Sequence, residues 1–198
     1  MDEETGERIS RFDGVTLAGW QAGDDGGAPR GWRAVDGTLA IVGRGDDAQT
    51  ERKFRNFNFQ CEWKVQHRGN SGIFYRWADY AGYVSAGPEY QVIDDIGRKL
   101  PADRDNSVGA TVDMYGPAAD KPTRKAGQWN HTRIVAVDGE AEHGLNGIRV
   151  VNFDITSPEW TRRLKKSKFR RLWPFGRLYE GAFRLQNYGG MPVFYRDL

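Results

Sequence analysis

The sequence predicts an all-β protein, its strands packed as a sandwich or barrel, on three observations. Its 25 glycines in 198 residues exceed the usual share of about 7%, and they fall between short apolar runs, where a chain of tight turns needs positive φ angles. From Asn56 to Gln66 the chain alternates: Phe57, Phe59, Cys61, Trp63 and Val65 share one face, Asn58, Gln60, Glu62, Lys64 and Gln66 the other. That is the period of a half-buried strand. Shorter runs of the same kind recur at the spacing of sandwiches and barrels.

In chain order, Phe12-Asp13-Gly14 is a turn leading into a strand from Val15 to Trp20, and a Gly/Asp/Pro-rich loop over 23–31 separates it from a strand at Gly37 to Val42. After the Asn56–Gln66 strand, Arg68-Gly69-Asn70-Ser71-Gly72 reads as a turn and Ile73 to Trp77 alternates again, so this pair is expected to form a hairpin. Tyr90–Asp94, His131–Val137, Gly147–Ile155, Ala182–Gln186 and Pro192–Arg196 complete the strands, with Asn146-Gly147 the strongest hairpin signal because both residues tolerate φ > 0. One short helix is expected near 158–167: Ser157 caps it, Pro158 suits its first turn, and Trp160, Leu164 and Phe169 form its apolar stripe.

Residues 1–10 read as an N-terminal extension and 11–198 as one domain, a length a single all-β unit can use. Hydrophobic residues make up 38% and aromatics 13%, and mean hydropathy is −0.71, so a core is affordable and disorder is not the expected state. With 29 basic and 27 acidic residues the formal charge is +2, too small to recruit nucleic acid through a global field. The local basic stretch Arg162 to Arg171 reads as a solvated helix face, so neither nucleic acid nor membrane is an expected partner. Met1-Asp2-Glu3-Glu4 carries acid where a signal peptide carries base, and no apolar run reaches the length of a membrane span. The single cysteine, Cys61, excludes an intrachain disulfide and thiolate metal clusters. No cofactor is expected; a loop calcium through Asp24, Asp25, Asp46 and Asp47 is the one metal reading left open.

Six motifs, in order, carry a resemblance: Phe12-Asp13-Gly14-Val15-Thr16-Leu17-Ala18-Gly19-Trp20, Gly69-Asn70-Ser71-Gly72-Ile73-Phe74, Glu89-Tyr90-Gln91-Val92-Ile93-Asp94, Gly127-Gln128-Trp129-Asn130, His143-Gly144-Leu145-Asn146-Gly147 and Leu185-Gln186. From about residue 11 to 198 the chain resembles the 3-keto-disaccharide hydrolase domain family, long a domain of unknown function. The resemblance implies a concanavalin A-like jelly roll acting on glycosides whose sugar 3-hydroxyl has become a ketone; many members are exported. The chain departs where the family commonly has Leu-Gln-Asp-His-Gly, reading Leu185-Gln186-Asn187-Tyr188-Gly189, and at Gly144, where an aromatic is usual.

For such a substrate, acid–base groups suffice, because the ketone acidifies the C2 hydrogen and lets the C1 substituent leave by elimination, after which water can add. Glu89 and Asp94 are the candidate base and acid. On a regular strand Glu89 and Gln91 share a face and Asp94 points away; one β-bulge would bring Asp94 round to join them. A polar edge strand is the plainer reading of the same run. His143 is the third catalytic candidate, with a pKa range suited to proton transfer, and Arg76 a donor to the ketone oxygen. Asn70, Ser71, Gln91, Gln186, Asn187 and Tyr188 are candidates for binding sugar hydroxyls, and Trp77, Tyr83, Tyr90 and Trp129 for stacking on a sugar ring. A sugar or glycoside is therefore the expected ligand. A lectin-like binding module without a poised acid is the alternative, and oligomeric state is left open.

Overall fold

The computed structural model describes residues 10–23, 26–80, 83–85, 87–172 and 174–198, giving backbone alone at 79–80 and 83–85. The described chain forms two antiparallel sheets. The first contains β1 (Trp20–Ala22), β4 (Ala48–Thr50), β6 (Asn70–Tyr80), β7 (Tyr83–Ser85), β8 (Glu89–Ile93) and β12 (Ala182–Leu185). Its order is β1-β4-β12-β6, the first half of β6 then pairing with β8 and its end with β7. The second contains β2 (Trp32–Val35), β3 (Thr38–Ile41), β5 (Phe57–Val65), β9 (Asn130–Val137), β10 (Glu140–Leu145), β11 (Ile148–Asp154) and β13 (Val193–Arg196), in the order β11-β10-β9-β5-β13-β3-β2. This is the expected all-β sandwich.

The apolar face of β5 packs inward as its alternation predicts, with Phe57 and Phe59 against Phe183 of β12. Large side chains with polar tips help fill the space between the sheets, and those of Trp63 and Tyr195 find partners, as burial requires. Trp63 Nε1 donates to Thr132 Oγ1 at 2.8 Å. The Tyr195 hydroxyl lies 2.7 Å from Ser71 Oγ, which donates to the Gln186 carbonyl.

Several expectations are corrected. The 68–72 turn joins no hairpin: β5 pairs with β9 and β13 and β6 with β12, β7 and β8, so the turn crosses from one sheet to the other. Residues 15–19 form no strand, because the Asp13 carboxylate takes the Val15 and Thr16 N–H groups and the Thr16 hydroxyl and holds them in a turn. Asn146-Gly147 does close a hairpin, between β10 and β11, with φ of 47° and 87°. The expected helix is α2 (Pro158–Lys166), capped by Ser157 as read; a 3-10 turn over 168–171 carries Phe169, and a second helix, α1 (Asp95–Arg98), was not foreseen. Among the described residues no helix is long and apolar enough to cross a membrane.

Candidate functional site

In β6, Ile73 and Tyr75 face the core, leaving Gly72 and Phe74 on the outer face. A bulge then changes the phase. Trp77 pairs with Ala182 while Phe74 pairs with Arg184, so three steps of β6 match two of β12, and Arg76 takes up the extra residue with φ +53°. Trp77 thereby joins Phe74 on the outer face, the ring centroids 5.1 Å apart, and the Arg184 guanidinium lies 4.3 Å over the Trp77 ring.

On the other side of β6, Tyr90 and Val92 of β8 enter the core, so Glu89 and Gln91 share the outer face beside Phe74 and Gly72. Glu89 and Arg184 both register on Phe74. Their backbones therefore stand two strand spacings apart, about 10 Å, with Phe74 between them.

This outer face is not open. Glu89 is only 8% exposed, and Gln91, Phe74, Trp77 and Gln49 are buried too. Burial pushes the Glu89 pKa up to about 7, with Asp47 adding to the rise and the Lys168 ammonium opposing it; no hydrogen bond from a described residue offsets the burial. A carboxylate poised near neutrality can take a proton and return it.

The surroundings of Glu89 are anchored. The strip after Ser107 lies along β8: Gly109 N–H donates to the Gln91 carbonyl, Gln91 N–H to the Ala110 carbonyl and Val112 N–H to the Glu89 carbonyl. Next along it, the Asp113 carboxylate takes the Ser167 hydroxyl at 2.7 Å and the Lys168 N–H at 2.6 Å, fixing the start of the 3-10 turn and with it Lys168. Asp47 accepts from Arg184 Nε at 3.0 Å and from the Asn187 N–H at 2.7 Å.

The other sequence candidates divide. Gln91 is on the floor with Glu89, its amide donating to Asn70 Oδ1 at 2.7 Å and to the Ser71 carbonyl at 3.1 Å. Gln186 follows Leu185 of the core and so faces outward, its N–H on the Gly72 carbonyl. Asp94 does not join them. β8 runs in register with β6 without the bulge, and Asp94 caps α1, Oδ1 accepting from Gly97 N–H at 3.0 Å and Oδ2 from Arg68 N–H at 2.8 Å.

His143 lies between the sheets, fully buried, Nδ1 2.9 Å from the Gly109 carbonyl and Nε2 2.9 Å from the Tyr75 hydroxyl. Burial lowers its pKa to about 4, so the ring is neutral, donates from Nδ1 and accepts at Nε2. Ser71 is likewise on the core face. Arg76 sends its guanidinium to the Arg55 carbonyl and the Tyr179 ring. Asn187 is a loop staple, donating to the Gly43 carbonyl and accepting from Gly190 N–H, while Tyr188 is exposed.

Of the aromatic candidates whose side chains are described, Trp77 alone reaches this floor: Tyr90 is in the core and Trp129 packs between Lys64 and Arg196, while the Tyr83 side chain lies outside the described residues. Asp46 is held by Arg30, which draws its pKa to about 2, and Asp47 is occupied as above; Asp24 and Asp25 lie outside the described residues. Among the described residues no group of three or more His, Cys, Asp or Glu is arranged to hold a metal ion. Phe74, Arg184 and Lys168 were missed by the sequence reading. Arg184 had a signal, since it alternates with Phe183 and Leu185 of the core; Lys168 had none.

A protein of Bacteroides thetaiotaomicron named 3-keto-disaccharide hydrolase is 31% identical, the match spanning 96% of this chain and 76% of that protein. A solved structure from Parabacteroides distasonis, described as a "putative glycosyl hydrolase", superposes with a TM-score of 0.82 at 28% identity, over 95% of this chain and 92% of that one. The carbohydrate-binding module CBM66 of Bacillus subtilis shares the fold, with a TM-score of 0.53 at 12% identity over 92% and 94% of the two chains. The model of the 3-keto-alpha-glucoside-1,2-lyase-like domain matches residues 7–198, and the chain belongs to that family.

Proposed function

We propose that this chain is a carbohydrate hydrolase that cleaves 3-keto-glycosides, with Glu89 as the general base on the outer face of the first sheet. Family membership and the relatives' names support the coarse activity. The observation that carries the mechanism is the Glu89 carboxylate: buried, unbonded by described residues and poised near pH 7.

Glu89 takes the C2 proton, and the electron pair of that C–H bond moves toward the C3 ketone as an enolate. The enolate collapses, C1=C2 forms and the C1–O bond breaks. The departing oxygen takes up a proton, which Glu89 can return because its pKa lies near neutrality. Addition of water to the enone, with oxygen bonding to C1 and a proton to C2, gives the free 3-keto sugar. The net reaction is hydrolysis.

Lys168, whose charge favours the ionised form of Glu89, is the group assigned to supply positive charge against the enolate. Arg184, braced by Asp47 and lying on Trp77, bounds the opposite side of the floor. Asp94 and His143 have no part in proton transfer in this reading; one is a helix cap and the other a core hydrogen-bonding group.

The test is turnover of 3-keto glycosides against their unoxidised parents, by wild type and Glu89→Gln, followed by product mass. Keto-dependent cleavage that Glu89→Gln abolishes is the expected result. Saturable binding of plain glycans with no turnover of any keto substrate would instead establish a lectin-like module.

A further inference from the structure

Gly72 stands inside β6, the longest strand of the described chain, and its φ lies outside the left-handed region, so the backbone does not demand glycine there. Glycine within a strand weakens it and marks a place where something approaches the backbone closely. Here the approaching group is Glu89. A Cβ on Gly72 would fall 2.1 Å from Glu89 Oε1, 2.8 Å from Cδ and 2.9 Å from Cγ, and these are its three nearest neighbours. The register gives the reason: Gly72 opposes Gln91 and Phe74 opposes Glu89, so the Glu89 side chain crosses diagonally and lies down over the bare backbone of Gly72.

We propose that Gly72 is a positioning residue for the Glu89 base: the absent side chain is the seat that holds the carboxylate on the floor, and any side chain at 72 lifts it off. This rests on the reading of Glu89 as the base. The three nearest atoms all belong to one flexible side chain and none to the backbone, so the fold can accept alanine by rotating Glu89. A rotated carboxylate moves toward solvent, loses its burial and ionises at lower pH. Substitution of Gly72 therefore separates activity from stability.

The experiment compares wild type, Gly72→Ala, Glu89→Gln and the double variant Gly72→Ala/Glu89→Asp on 4-nitrophenyl 3-keto-α-glucoside. kcat is measured from pH 4.5 to 8.5 alongside thermal unfolding. Gly72→Ala is expected to lose roughly a hundredfold in kcat while its Tm stays within a few degrees, and its acidic limb is expected at least about one pH unit lower. Aspartate, one methylene shorter, removes the closest contact, Oε1 at 2.1 Å, and leaves a Cγ at 2.9 Å that must give by only a few tenths of an ångström, so the double variant should recover roughly tenfold over Gly72→Ala. Unchanged kcat and pH profile in Gly72→Ala would overturn the proposal. So would a loss of kcat with the limb unmoved and no recovery in the double variant, or a fall in Tm that Glu89→Asp does not relieve. If Glu89→Gln keeps full activity, the assignment of the base fails instead, whatever Gly72→Ala does.

Discussion

Glu89 and His143 are both buried ionisable residues on strands, and both were candidates for proton transfer on sequence grounds, yet their surroundings differ in kind. His143 is held on both nitrogens, by the Gly109 carbonyl and the Tyr75 hydroxyl, among the rings of Tyr75, Tyr90 and Phe153. Glu89 has burial without a hydrogen-bond partner among the described residues, and two charged groups acting on it in opposite senses. A group with satisfied partners in a sealed core stabilises one arrangement. A buried carboxylate that no described residue bonds is costly to keep ionised, and such groups concentrate at functional sites. The two are still connected: His143 fixes Gly109, and Gly109 binds the strand carrying Glu89 and Gln91.

The largest expected effect is on turnover. Glu89→Gln should lower kcat on a 3-keto glycoside by about a thousandfold, within the range of a general base, as read by release of the leaving group. His143→Ala should leave most of the activity per folded molecule but lower unfolding free energy by about 3–4 kcal/mol, measured in urea, because it opens a cavity and leaves two buried partners unsatisfied.

The third expectation reverses the usual sign. Glu89 has its pKa raised in the fold, so its neutral form is favoured there. Its stabilising contribution is full below the ordinary carboxylate range and is lost as pH rises through about 7. Glu89→Gln, neutral throughout, should therefore be more stable than wild type by about 3 kcal/mol at pH 8.5, and nearly equal to it at pH 4. His143 runs the other way. Its pKa is lowered to about 4, so the stability it contributes is lost as pH falls from about 6.5 toward 4.

The smallest effect is at the residue beside the site in sequence. Asp94→Ala should cost about 1 kcal/mol as a lost helix cap, with kcat within a factor of a few of wild type. A thousandfold loss there would return Asp94 to the chemistry.

The fold was legible where one local rule decided the outcome. Alternation marked β5, and Asn146-Gly147 marked its hairpin. The 68–72 turn misled because its residues suit any tight turn, and whether the next strand joins the same sheet is decided by long-range pairing that no local signal carries. In the site, the two-residue spacing of Glu89 and Gln91 placed them on one face. It could not tell that Asp94 would turn into α1, since the bulge and the cap begin from the same residues. His143 falls between Ala141 and Leu145, an inward position that the polar run of β10 concealed. Trp77 reaches the floor through the bulge at Arg76, and Lys168, whose charge acts on Glu89, is held by Asp113, 55 residues away in sequence; neither link has a local signature.

The most direct measurement of the central claim is the pH dependence of kcat/KM for a 3-keto glycoside. If Glu89 in its buried setting is the base, the rate should rise about tenfold per pH unit through the acidic range and level off near pH 7. A flat profile from pH 5 to 8, or an inflection in the ordinary carboxylate range near 4.5, would contradict it.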